Sequence, residues 1–325
     1  TAVTDGVTVA GNLSVDGGSI KLDGNYPTGT NNVALGDTTL DSLTSGSTNT
    51  AIGSGALTAL TTGNNNHAFG QGALQSNVSG GENVAIGRLA LQANTASANT
   101  AIGHNAGYYN TTGTANTAVG YAALVFNTTA SNNTAVGYQS LYANTTGTAN
   151  AALGYQAGQD LTTGSRNTFL GVIAGANATT TDDSVLIGYA AGGSGIMTGH
   201  DNVAVGKSSL TSITSGASNV AVGKDALSSN TTTNNSTAVG TKALYSNTAA
   251  NNTAVGFEAA FNNSTGSISA FGRYAARQNT TGVSNTAVGR TSAYNTTSCS
   301  YNTSVGETAL YSNTRVDNQV AVGYR

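Results

Sequence analysis

The stretch Asn116-Thr117-Ala118-Val119-Gly120-Tyr121-Ala122-Ala123-Leu124-Val125-Phe126-Asn127-Thr128-Thr129-Ala130-Ser131-Asn132 is followed at once by Asn133-Thr134-Ala135-Val136-Gly137-Tyr138, the same opening again. Outward from it in both directions, an Ala-(Val/Ile/Leu/Phe)-Gly triplet or a close variant recurs eighteen times. Its glycines are Gly36, Gly53, Gly70, Gly87, Gly103, Gly120, Gly137, Gly154, Gly171, Gly188, Gly206, Gly223, Gly240, Gly256, Gly272, Gly289, Gly306 and Gly323. Of the seventeen intervals, thirteen are 17 residues, three are 16 and one is 18. So even a period is the mark of a solenoid, each repeat being one coil stacked on its neighbours.

Each position in the coil has its own rule. The residue before the glycine is apolar in all eighteen copies, and two before it Ala stands in fifteen, with Phe169, Leu186 and Ser304 the exceptions. Four before it Asn stands in fourteen; three after it the residue is always small. A unit rich in Thr, Val, Asn and Gly is poor helix material. Two short strands are expected, Asn-Thr-Ala-Val-Gly and Ala-Leu-x-x, with Asn-Thr-Thr-Gly as a turn. The predicted fold is all-β, a parallel β-roll of about eighteen coils with a 17-residue period. Stacked at about 4.8 Å, the coils make a rod on the order of 85 Å long, with Asn ladders running from coil to coil.

Neighbouring strand residues point to opposite faces. Ala118 and Val119, Ala135 and Val136, Ala152 and Leu153 therefore face opposite ways, and all are apolar. Both faces are expected to be buried, one by the coil itself and one by a second copy of the chain, with Ala suited to close backbone approach.

Composition agrees and excludes several classes. The 325 residues include 43 Gly, one Pro and one Cys, with 8% charged and a formal net charge of −3. One cysteine builds neither a disulfide framework nor a cysteine zinc site. The charge gives no basic footprint for nucleic acid. No apolar run spans a membrane and no signal-peptide pattern is present. Disorder is disfavoured, because 38% of residues are hydrophobic and net charge is near zero.

Residues 1–30 lack the repeat and read as short alternating strands, a shaft or capping segment; the roll is assigned to 31–325. The chain ends at Arg325 inside a repeat with no capping motif, so it is expected to be a fragment with neighbouring domains. The irregular copies around 169–206, with Gly192-Gly193-Ser194-Gly195, predict a bulge or loop.

No catalytic or metal-binding constellation emerges, so no enzyme activity and no cofactor are expected. His67, His104 and His200 read as surface residues and Cys299 as a packed one. Asp183 and Asp201, each five before a repeat glycine, are the one candidate carboxylate pair, at a stacking distance compatible with glycoside hydrolysis or a shared cation. Tyr121, Tyr138 and Tyr155, each just after the glycine, form a candidate ladder that either stacks on itself or contacts glycan.

The unit Asn-Thr-Ala-Val-Gly-Tyr-x-Ala-Leu is similar to the Asn-Ser-Val-Ala-Ile-Gly head repeats of trimeric autotransporter adhesins, as at Asn83-Val84-Ala85-Ile86-Gly87 and Asn202-Val203-Ala204-Val205-Gly206. Here the Asn stands one residue nearer the glycine. The chain more closely resembles the longer repeats of phage tail fibres, where segments like 6–15 precede the repeat. That resemblance implies a left-handed, homotrimeric roll on a virion or cell surface. Its implied partners are two further copies of itself and a host surface glycan or protein receptor, with no membrane insertion. It also implies a self-cleaving C-terminal chaperone domain in the full gene product. The alternatives are the head domain of a bacterial trimeric surface adhesin, then a polysaccharide-depolymerising tailspike, with ice binding last because Thr mostly flanks buried positions or turns.

Overall fold

Thr and Val in succession favour extended backbone, and the following glycine ends it. In the computed structural model, which describes residues 29–314 and 316–324, each repeat contributes one strand just before its glycine. Eighteen strands result, from β1 (Val33–Leu35) to β18 (Val320–Val322), sixteen of three residues and two of four. Each runs parallel to the next and in register, so Thr117 meets Thr134, Ala118 meets Ala135 and Val119 meets Val136. The chain is an all-β solenoid with a 17-residue period, about 80 Å long by strand spacing. The segment assigned to 1–30 lies outside the described residues apart from 29 and 30.

The second strand expected at Ala-Leu-x-x is absent; the six or so residues after each glycine form consecutive turns. The reason is an alternation of backbone hand. Gln139 and Leu141, two and four after Gly137, have φ of 51° and 48°, whereas a strand needs extended angles throughout. The backbone still bonds between coils. Gln139 N–H donates to the Tyr121 carbonyl of the preceding coil (2.9 Å), while Leu141 and Ala143 donate to Ala157 (3.0 Å) and Gln159 (2.9 Å) of the next.

The alternation of strand residues is as predicted, but the faces are exchanged. Ala118, Ala135 and Ala152 point into the coil and are buried there, not at a contact between chains. Val119 and Val136 are half-buried and Leu153 is 51% exposed, all on the outer face. The interior is too narrow for anything larger than Ala opposite a leucine. Where Phe169 and Leu186 take the alanine position, the usual leucine four after the glycine is replaced by Gly158, Gly175 and Gly192. A Cβ at Gly158 or Gly175 would come within 2.5 or 2.7 Å of the Phe169 ring. The irregular copy is taken up nearby, with Met197 buried and bridged to Ala178 while Ile196 projects.

Two asparagine columns replace a thicker apolar core. In the first, Asn49 N–H donates to Asn32 Oδ1 (2.9 Å) and Asn49 Nδ2 to the Gly63 carbonyl (2.9 Å), and this pattern repeats coil after coil. In the second, Asn110, Asn127 and Asn144 each donate Nδ2 to the Oδ1 of the asparagine below, at 2.7, 2.7 and 2.9 Å. The predicted ladders are present, and most of their bonds satisfy turn backbone that would otherwise be buried without a partner.

Candidate interaction surface

The outer face of the sheet is formed by two side-chain columns, one and three residues before each repeat glycine. The first is Val, Ile, Leu or Phe throughout, and along it Phe69, Ile86, Ile102, Leu153, Leu170 and Phe271 are exposed. The second is mostly Thr or Val, half-buried. An apolar stripe thus follows the rod from Leu35 to Val322. Stripes of this length are rare on isolated soluble chains.

A single glycine separates that stripe from the column carrying Tyr121, Tyr138 and Tyr155. Their rings stack with centroids 5.3 and 5.2 Å apart and planes within 10°, and His104 extends the stack onto Tyr121 at 5.4 Å. Each face of the Tyr138 ring is turned to a neighbour, so its edge and hydroxyl are what it offers solvent. Arg88 caps the stack through the His104 Nε2, 3.1 Å from its Nη1.

Sequence reasoning overlooked a second aromatic group on the same coils. Tyr109 and Phe126 stack at 5.4 Å and line a trough of about 540 Å3 with Ala93, Ala143 and the threonines at 111, 128 and 145. The available signal was positional. Both lie six after a repeat glycine, in a column otherwise filled by Ser, Ala, Asn, Gln and Asp.

Asp183 and Asp201 stand on adjacent coils, and Asp183 is engaged by Arg166 on its other side. Arg166 Nε and Nη2 donate to its two oxygens at 2.6 and 2.8 Å. This two-point bond holds the Asp183 carboxyl below its ordinary range and raises the Arg166 guanidinium. A general acid for glycoside hydrolysis needs the opposite shift. His200 Nδ1 accepts the Asp182 N–H at 2.9 Å, while His67 lies in the outer strand column. Cys299 is buried. Among the described residues no three His, Cys, Asp or Glu side chains gather as metal ligands, and no helix is long and apolar enough to cross a membrane.

Neither a protein-family model nor a curated protein matches this chain.

Proposed function

We propose that the chain is the rod of a homotrimeric, left-handed phage tail fibre that spaces and presents host-receptor binding on the virion. The apolar stripe carries this reading. About 80 Å long and roughly 10 Å wide, it offers on the order of 800 Å2 per chain, the size of a standard protein interface. Because the stripe repeats every coil, copies laid side by side repeat one contact along the whole rod. The Asn-Thr-Ala-Val-Gly-Tyr resemblance supports three copies and the viral setting. The partners in this reading are the chain itself and a host-surface glycan or protein, and no catalytic step is assigned to it.

A bacterial surface adhesin head is the second reading, favoured by the matches at 83–87 and 202–206. A coiled coil and membrane anchor downstream in the gene would decide for it.

Sedimentation equilibrium tests the oligomer directly. The expected mass is three times the 32.1 kDa chain. The triple variant Val119→Asp, Val136→Asp, Leu153→Asp, changed only on the outer face, is expected to weaken association while keeping the coil interior. A soluble wild-type monomer overturns the reading.

A further inference from the structure

Charge is unevenly distributed along the rod. Between positions 33 and 202, Arg88 and Arg166 stand against seven carboxylates. Between 203 and 300 the balance reverses: Lys207, Lys224, Lys242, Arg273, Arg277 and Arg290 stand against Asp225 and Glu258 alone. All six cations lie one, two or five residues after a repeat glycine.

Contacts between those columns join Lys242, Arg273 and Arg277 into one cluster. Lys207 and Lys224 extend it into a ridge along the first column on the two coils before it, as Arg290 does on the coil after. Lys242 Nζ is 5.8 Å from the Tyr245 ring centre and 5.9 Å from that of Phe261. The Arg277 guanidinium lies 5.0 Å from Phe261, and its Nε is 2.6 Å from Glu258 Oε2. Arg273 stacks on Tyr274 at 4.6 Å. From Lys207 to Arg290 the ridge spans five coil steps, about 24 Å.

Three of the six cations are already engaged, Arg277 by Glu258, Lys224 by Asp225 at 3.8 Å and Arg290 by Glu307 of the next coil. Among the described residues, Lys207, Lys242 and Arg273 have no carboxylate within ion-pair distance. The ridge therefore keeps a surplus of like charge, which attracts an extended polyanion.

We infer that this ridge is a docking surface for a linear polysaccharide bearing carboxylate groups, lying along the rod axis. Single-stranded nucleic acid needs open aromatic faces for its bases. Here Phe261 is covered by Tyr245 from the coil before, at 5.0 Å, and by Arg277 from the coil after. That leaves Phe257, edge-on to Tyr274, as a single exposed ring where a strand of bases would need successive ones. Beside the ridge runs a half-exposed column of Ser229, Ser246, Asn262, Gln278 and Asn295, uncharged hydrogen-bonding groups suited to sugar hydroxyls. The inference rests on the fibre reading for the presence of a cell-surface glycan.

The test titrates the intact chain with alginate oligomers, neutral dextran and oligo-dT at low and high salt. Alginate is expected to bind in a salt-sensitive way and dextran not to bind. The variant Lys207→Gln, Lys224→Gln, Lys242→Gln, Arg273→Gln is expected to bind at least about tenfold more weakly. Arg88→Gln, far from the ridge, is expected to bind as wild type. The double variant Lys207→Gln, Lys224→Gln changes only exposed side chains, so it reports on binding even if the fourfold variant misfolds. Binding of dextran as strong as that of alginate, preference for oligo-dT, or unchanged binding by the folded variants overturns the inference. Sedimentation of the same sample separates the two claims. A monomer that binds alginate through the ridge sinks the fibre reading alone, and a trimer that does not bind sinks this one alone.

Discussion

At Gly137 two constraints coincide. Its φ is 136°, a backbone that L side chains rarely adopt, and a Cβ there would stand 2.2 Å from the Gly154 carbonyl oxygen of the next coil. Gly323 has a similar φ of 126° but nothing within 4 Å of the same virtual atom. Backbone strain of about 1–3 kcal/mol applies to both, whereas overpacking of about 1–3 kcal/mol applies only to Gly137. Gly137→Ala is therefore expected to lower the thermal midpoint clearly more than Gly323→Ala, and equal losses in the two melts would refute the stacking argument. The recurrent glycine was visible in sequence as a turn, but its closeness to the next glycine required the coil register. Asp183 supports a pH prediction at the same scale. Its folded carboxyl titrates below the unfolded value, so the pair with Arg166 helps stability above about pH 4. That help is lost as pH falls through the lowered folded value. The pair is exposed and salt-screened, so the effect on melting is small and the titration is the sharper readout. By NMR, Arg166→Gln is expected to move the Asp183 midpoint up into the ordinary carboxylate range, and an unmoved midpoint removes Arg166 as the cause.

Between coils, the element that tests the packing is the strand Thr168–Leu170 with its flanking turns. Phe169 fills the space that leucine fills elsewhere, which is why Gly158 and Gly175 stand where Leu141 stands in its own coil. Phe169→Ala leaves a cavity and is expected to cost about 3–5 kcal/mol. Adding Gly175→Leu restores the usual pairing of small strand residue and large turn residue, so the double variant is expected to regain part of that loss. Gly175→Leu alone is expected to destabilise, with the Phe169 ring in its path. Denaturant melts of the three variants measure the coupling, and strict additivity would show that the two sites do not share one volume. The sequence made the period and the Asn columns legible, because both are repetitions along one dimension. It did not make legible which strand face is inside, because Ala and Val are both apolar and only the width of the coil separates their roles. The turn after the glycine was misread as a strand for a similar reason. Leu at positive φ, as in Leu141, leaves no mark in composition.

At the scale of the whole rod, stability is a sum over neighbouring coils, since every strand pairs only with the one before and the one after. The same locality kept the candidate surfaces hidden. A stripe, a stack or a charged ridge is one residue per coil, and becomes a surface only once the coils are placed in register. Register also makes the molecule tolerant of one kind of deletion and intolerant of another. Removing 121–137, one full period, joins Gly120 to Tyr138 and leaves every column continuous: Ala118 then stacks on Ala152, Asn116 on Asn150 and His104 on Tyr138. Such a rod is expected to fold with unchanged far-ultraviolet circular dichroism and to be shorter by about 5 Å in small-angle scattering. Removing 121–128 instead takes out the left-handed residues Ala122 and Leu124 and the buried Asn127 with nothing to replace them. Asn110 and Asn144 then lose the amide between them, and the backbone bonds that cross from this turn to both neighbouring coils have no partner. That shorter deletion is expected to unfold coils on both sides of the cut although it removes fewer residues, and equal tolerance of the two deletions would contradict a stack held by coil-to-coil register.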